Sequence, residues 1–167
     1  MAGSLALFLH AHLPFVRHPE HPEFLEESWL FEAITETYIP LIWMMQRLLA
    51  DGVPFQLALG VTPPLCAMLN DELLRERYVQ HLDRSIALAQ RELERTRANP
   101  ELLELARHYC DLLVETRHFY EGCQRDLFAV LRELRDRGVL EIVASAATHG
   151  LLPLLTPPPQ AVRAQIL

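Results

Sequence analysis

Three histidines of this 167-residue chain follow apolar runs that have the length of β-strands. His10 and His12 close the run over residues 5–9, and His149 follows a run over residues 140–144. Side chains alternate between the two faces of a strand, so His10 and His12 are predicted to point to the same side. Polar residues at the carboxyl ends of parallel strands belong to the ligand site. We therefore expect the three imidazoles to converge at one edge of a sheet.

Three converging imidazoles permit two kinds of chemistry, and the residues leave both open. Imidazole is a common ligand of divalent metals, although these motifs hold neither a carboxylate nor a thiolate to complete such a site. The rings can instead hydrogen-bond the hydroxyls of a polyol, with one imidazolium lowering the pKa of a neighbouring carboxylate. A structural role, in which the histidines bond to backbone groups, is a third interpretation. We favour the sugar interpretation and expect neither a metal nor another cofactor.

The composition restricts the partners and the compartment. A net charge of −7 argues against nucleic acid or an anionic membrane as the main partner. No stretch approaches the roughly 18 apolar residues of a membrane span. The cysteines Cys66, Cys110 and Cys123 are odd in number and form no C-x-x-C pair. They are therefore interpreted as reduced core residues of a cytoplasmic protein.

The elements that position the histidines alternate between strand and helix. A loop rich in proline and acidic residues is predicted over residues 13–28, with its His18 and His21 facing solvent. Ser28 is the predicted N-cap of a helix that runs to about residue 50 and is kinked or split by Pro40. A second strand is predicted over residues 55–61. The first strand is apolar on both faces, so both faces are expected to be covered, as in parallel α/β folds.

A helical segment over residues 71–137 separates the second and third strands. One helix is predicted from a cap at Asp71, and a longer one begins after Asn99, with a bend at Gly122. The segment exceeds what a simple crossover needs, so we interpret it as an insertion that covers or flanks the site. A further helix is predicted from Gln160, after the prolines at 157–159. The two helices of the segment are predicted to pack as an antiparallel pair. The regular apolar line of the longer one comprises Leu102, Leu105, Tyr109, Leu112, Phe119, Cys123, Leu127, Val130 and Leu134.

Four motifs in combination resemble the glycoside hydrolases of family 57. The sequence HAHLPF at residues 10–15 is similar to the first conserved region of that family. ATHG at residues 147–150, with Pro153, is similar to the second region as it occurs in the 1,4-α-glucan branching enzymes. ETYIPLI at residues 36–42 and LGVTP at residues 59–63 also match that subgroup. The resemblance extends over essentially the whole chain.

The resemblance implies the N-terminal portion of a (β/α)7 barrel, with residues 71–137 as its helical insertion and the rest of the barrel beyond Leu167. Three strands alone are too few to close a barrel. The implied activity is retaining chemistry on α-1,4-glucans, which needs two carboxylates about 5–5.5 Å apart. Family members place the nucleophilic glutamate after strand four and the acid aspartate later, so residues 1–167 are expected to lack both and to be inactive alone. Glu141 cannot substitute, because it lies at the entrance of strand three.

The resemblance assigns the wall of the donor sugar subsite to His10, His12 and His149. Trp29 is the candidate for a ring that stacks on a sugar, with a core position as the alternative. The implied partner is an α-1,4-glucan such as amylose or glycogen. Acceptor choice depends on later loops, so α-amylase and 4-α-glucanotransferase remain rivals within the family.

Two rivals come from other classes. A metal-dependent polysaccharide deacetylase would also use histidines at strand ends, but its Asp-Asp and H-x-x-x-H signatures are missing. A non-catalytic glucan-binding fragment is the other alternative.

Overall fold

A computed structural model of the chain describes residue 3, residues 5–155 and residues 158–166. Pro157, the first of the three consecutive prolines, and Leu167, the last residue, lie outside the described residues. None of the described helices is both long enough and apolar enough to cross a bilayer.

Three short parallel strands form the sheet, in the order β1-β2-β3. They are β1 (Phe8–Ala11), β2 (Leu57–Val61) and β3 (Leu140–Val143). Both pairings are parallel, and the register aligns His10 with Gly60 and Gly60 with Val143. The predicted α/β class and parallel sheet are confirmed.

One face of this sheet is packed on the core and the other is open. The buried side chains of Ala11, Leu59 and Val61 share one face because they alternate along their strands. On the other face Phe8 is 60% exposed, and His10 and Glu141 are exposed beside it. Among the described residues one face of β1 is covered and the other is not, so the expectation that both faces are covered is not met within this part of the chain.

The first helical segment comprises α1 (Glu27–Ala33), a π-helical stretch (Ile34–Tyr38) and α2 (Ile39–Ala50). The predicted N-cap at Ser28 is wrong: α1 begins one residue earlier, and the Ser28 hydroxyl donates to the carbonyl oxygen of Leu25 at 2.6 Å. The predicted disturbance by Pro40 takes the form of the π-helical stretch. There the Ile39 amide donates to the Ile34 carbonyl, so the widened turn precedes the proline and the helix continues.

Four helices lie between β2 and β3: α3 (Pro63–Asn70), α4 (Glu72–Arg95), α5 (Pro100–Gly122) and α6 (Leu127–Asp136). The predicted caps are confirmed at two of them. Asp71 accepts a hydrogen bond from the Leu74 amide at 3.0 Å, and Asn99 accepts one from the Leu102 amide at 3.2 Å. Each cap satisfies an amide that has no partner within its own helix.

The single long helix predicted after Asn99 is interrupted by a turn rather than bent. Gln124 and Arg125 adopt left-handed backbone conformations, with φ of 55° and 61°. Asp126 then caps α6 by accepting from the Ala129 amide at 3.1 Å. The cap starts a new helix and so ends the continuity that the apolar periodicity alone predicts.

The regular apolar line along α5 is not buried over the first three turns of that helix. Leu102, Leu105 and Tyr109 are 45%, 52% and 54% exposed, whereas Tyr120 near the other end is 2% exposed and joins the core. The α4–α5 hairpin therefore extends away from the core at this end. A helical period indicates an apolar face but does not say which turns have a neighbour.

A short 3₁₀ turn (Leu152–Leu154) and α7 (Pro159–Ile166) follow β3. The helix predicted from Gln160 is confirmed, and it begins at the preceding proline. Proline suits the first turn of a helix because the amide it lacks would have no partner there.

Candidate functional site

His10 lies within β1 on the open face of the sheet, directly over Gly60 of β2. A Cβ atom at Gly60 would lie 3.1 Å from Nδ1 of His10 and 3.4 Å from the ring of Phe8. These contacts are tighter than side chains normally tolerate, so a larger residue at position 60 would displace the imidazole. Gly60 therefore helps to position His10.

His12 follows β1 directly and is held by Thr62. Its Nδ1 atom lies 3.0 Å from the hydroxyl oxygen of Thr62, which is fully buried at the end of β2. The Thr62 amide donates to the carbonyl of Ala11 at 3.2 Å, so the two strand ends are joined at this point. With Nδ1 engaged, Nε2 is the nitrogen of His12 that is free to contact a ligand.

His149 lies in the loop after β3 and has a left-handed backbone conformation, with φ of 59°. Its amide donates to the carbonyl of Ala146 at 2.9 Å. The side chain of Gln165, on α7, accepts from the Thr148 amide at 2.9 Å and also contacts the Thr148 hydroxyl. Gln165 thereby fixes the loop in the conformation that directs the His149 ring toward His10.

The three rings meet at the carboxyl end of the sheet, which confirms the predicted convergence. Nε2 of His10 lies 3.3 Å from Nε2 of His149, within hydrogen-bonding distance. The ring centroid of His149 is 4.7 Å from that of His10 and 4.0 Å from that of His12, and those of His10 and His12 are 6.2 Å apart. The hydrogen bond requires one of the two nitrogens to carry a proton and the other to accept it.

The planes of the His10 and His149 rings are inclined by 24°, and those of His12 and His149 by 33°. Among the described residues no group of three or more histidine, cysteine or carboxylate side chains is arranged to hold a metal ion. The preference for a hydroxyl ligand over a metal ion stays a prediction.

The pKa of His12 is lowered from the ordinary value of 6.5, first by burial and then by the charges of His149 and His10. His12 in the folded chain consequently resists protonation that the unfolded chain accepts, so its contribution to stability falls as the pH drops below 6.5.

We expect His149→Gln to raise the pKa of His12, which an NMR titration of the His12 ring signals would measure. His118→Gln, on the exposed surface of α5, is the control and should leave it unchanged. An unaltered His12 titration in the first variant would contradict this electrostatic coupling.

A cavity of about 470 Å³ opens beside His10. Its walls come from β1 and from the π-helical stretch and α2, which explains why ETYIPLI accompanies the histidine motifs in the sequence. Burial raises the pKa of Tyr38, in this wall, to about 12, so its hydroxyl stays protonated and can donate. The lining includes Glu36, Thr37, Tyr38, Leu41 and Met44.

Trp29 lies on α1 and is 46% exposed, so the alternative of a core position is wrong. It precedes Glu32 by three residues and is therefore on the helix face that leads toward Glu36 and the cavity. Within the described part of the chain Trp29 makes no ring contact with the three histidines. Its proposed stacking on sugar stays a prediction.

The loop after His12 is more ordered than the sequence predicts. His21 faces solvent as expected, but His18 is only partly exposed and stacks on Phe24 with ring centroids 3.6 Å apart. The carbonyl oxygens of His18 and His21 both accept from Arg77 of α4. The segment between β2 and β3 therefore supports the loop that leaves the site.

Sequence reasoning missed two positioning residues, Thr62 and Gln165. Thr62 has a recognisable signal, because a residue just beyond β2 must lie beside the residue just beyond β1 in a parallel sheet. Gln165 has none, since its contact depends on how α7 returns to the loop after β3.

Comparison with known proteins gives consistent matches. The sequence profile described as glycosyl hydrolase family 57 matches residues 6–167. A 1,4-alpha-glucan branching enzyme of Thermococcus kodakarensis is 36% identical over 167 residues, covering 99% of this chain and 24% of that protein. The crystal structure of the alpha-amylase AmyC from Thermotoga maritima matches with a TM-score of 0.94 and 41% identity, over 99% of this chain and 32% of that one. A GH57-type branching enzyme from Pyrococcus horikoshii matches with a TM-score of 0.91 and 34% identity, over 99% and 31%. The chain thus spans between 24% and 32% of the length of these relatives.

Proposed function

The chain belongs to glycosyl hydrolase family 57, and from this premise we propose that it is the N-terminal part of a 1,4-α-glucan branching enzyme. Residues 1–167 would supply the first three strands of a (β/α)7 barrel. Residues 71–137 would form the helical insertion that flanks the site. The open sheet face that carries Phe8 and His10 supports this proposal, because the interior of a barrel is filled by side chains from all of its strands.

The observation that carries the proposal is the meeting of three histidines at the carboxyl ends of parallel strands, where one of them, His10, also lines a cavity. In barrel enzymes this end of the sheet holds the active site. Neutral imidazoles donate and accept hydrogen bonds, which matches the hydroxyls of a glucan donor. We propose that His10, His12 and His149 orient the donor sugar and that Trp29 offers its exposed ring for stacking.

The bond chemistry would be supplied by residues beyond this chain. A retaining mechanism needs a nucleophile and an acid/base about 5–5.5 Å apart. Glu141 aligns with Ala58, one layer toward the amino end of the sheet from Gly60 and His10. This position places its carboxylate below the histidine cluster, which supports its exclusion as a catalytic group. The three histidines would then position the sugar ring and the charge that develops in the transition state.

An α-amylase is the second candidate, because the AmyC structure has the higher TM-score and identity of the two structures compared. A 4-α-glucanotransferase would use the same donor site. We place the reaction in α-glucan metabolism, with glycogen or amylose as the substrate. The unpaired thiols of Cys66, Cys110 and Cys123 support a reducing, cytoplasmic compartment.

The test compares the 167-residue chain with the polypeptide extended to the length of its relatives, each incubated with amylose. New α-1,6 branch points, counted after debranching, are expected from the extended polypeptide alone. A rise in reducing ends without branch points would indicate the amylase, and redistribution of linear chain lengths would indicate the glucanotransferase. Branching by the 167-residue chain, abolished by a substitution within it, would contradict the assignment of catalysis to later residues.

A further inference from the structure

A second groove lies between α1 and the α4–α5 hairpin and has a volume of about 310 Å³. It is separate from the histidine cluster, but Glu36 lines both this groove and the cavity beside His10. The two concave surfaces are therefore adjacent along the face of the helix that carries Trp29 and Glu32. The side chains that define the groove are Glu32, Glu36, His81, Ser85, Leu88 and Tyr109.

Two exposed side chains from the hairpin stand in this lining. Tyr109 is 54% exposed and Leu88 is 53% exposed, one from each helix of the hairpin. Ala89, Ala106 and Leu113 add further apolar surface to the groove. An exposed tyrosine ring in a concave surface is suited to a ligand with an apolar face and a polar edge.

The groove lining carries carboxylates, and no arginine lines it among the described residues. The carboxylates belong to Glu32, Glu36 and Glu92, of which Glu92 is paired with Arg95 at the edge of the groove. Carboxylates accept strong hydrogen bonds from hydroxyl donors, and Ser85 adds a hydroxyl of its own. Burial and the charge of Arg84 lower the pKa of His81, so its ring can be a neutral donor or acceptor. A neutral polyol fits this lining and a phosphate does not.

We propose that this groove binds the continuation of the α-1,4-glucan chain whose donor sugar lies at the histidine cluster. The glucan would leave the cavity beside His10 at Glu36 and stack a further sugar on Tyr109. This inference rests on the proposed function, because it takes the ligand at the histidines to be a glucan. The α4–α5 hairpin then acts as an outer substrate surface.

The test titrates the 167-residue chain, labelled at histidine and tyrosine rings, with maltotriose and with maltoheptaose, followed by NMR. Both sugars should shift the signals of His12, and only the longer one should shift those of Tyr109. Tyr109→Ala should weaken maltoheptaose binding about twofold to tenfold, the range of one aromatic contact, and leave maltotriose unaffected. Tyr109→Phe keeps the ring and should bind like the parent. Leu102→Ala is the matched control, since Leu102 is equally exposed on α5 but lies outside the groove.

The outcomes separate the two proposals. A response at His12 with silence at Tyr109, or equal affinity for the two sugars, would overturn the groove and leave the donor site standing. A response at Tyr109 without one at His12 would keep the groove as a glucan site and contradict the histidine assignment. Silence at both would overturn both. If Tyr109→Ala instead changes the mass of the particle in sedimentation, a second copy of the chain occupies the groove and the glucan proposal is wrong.

Discussion

Replacing His12 with alanine should lower the rate of glucan transfer by about 30- to 1000-fold, which is the loss expected for one polar contact that tightens in the transition state. The measurement needs the polypeptide extended to the length of its relatives, because the catalytic carboxylates are expected there. Thr62 holds Nδ1 of His12 at 3.0 Å, so Nε2 is presented to the sugar in a fixed direction. We expect the loss mainly in kcat, because a hydrogen-bonding side chain that is already oriented stabilises the transition state more than the bound substrate.

Two further variants make this result specific. Thr62→Val keeps the shape of the threonine and removes only the partner of Nδ1, so it should produce a smaller loss of the same kind. His118→Ala removes an exposed histidine of α5 and should have no effect. A His12→Ala enzyme that folds normally and loses less than threefold in kcat would show that His12 does not contact the donor.

The convergence of the histidines could be predicted because it depends only on regular geometry. Side-chain alternation places His10 and His12 on one face, and parallel pairing brings His149 to the same end of the sheet. The first residues of α4 and α5, Glu72 and Pro100, could also be predicted from the sequence, because Asp71 and Asn99 cap these helices locally. These features depend on residues adjacent in sequence or on the fixed alternation of side chains along a strand.

What could not be predicted depends on neighbours distant in sequence. The apolar period of α5 is regular, yet Leu102 and Leu105 are exposed because the hairpin extends away from the core there. Ser28 has the side chain of a cap, but it lies within the first turn of α1 and donates to the carbonyl oxygen of Leu25 instead. The ordering of the loop after His12 depends on Glu27 and Arg77, which are separated by fifty residues.

Glu27→Ala should destabilise the folded chain by about 3–5 kcal/mol, the cost of removing one partner from a buried ion pair. Glu27 is 1% exposed although it is charged. Its carboxylate accepts from Nη1 of Arg77 at 2.6 and 2.7 Å and from the His18 amide at 3.0 Å. Alanine leaves the His18 amide without an acceptor and the guanidinium without its carboxylate partner, although Arg77 still donates to the carbonyl oxygens of His18 and His21. The lost charge partner and the unsatisfied amide both carry a desolvation cost. Urea unfolding gives the free-energy difference directly.

The matched control is a second ion pair between the same loop and the same helix. Glu23 pairs with Arg84, but their side chains are 72% and 57% exposed. Glu23→Ala should therefore cost at most about 1 kcal/mol, because water replaces an exposed partner. Glu27→Gln, which keeps an oxygen acceptor and loses the charge, should fall between the two. If Glu27→Ala costs no more than Glu23→Ala, the buried pair does not fix the loop after His12, and that loop must be held by its other contacts, such as those with Met68 and Asp71.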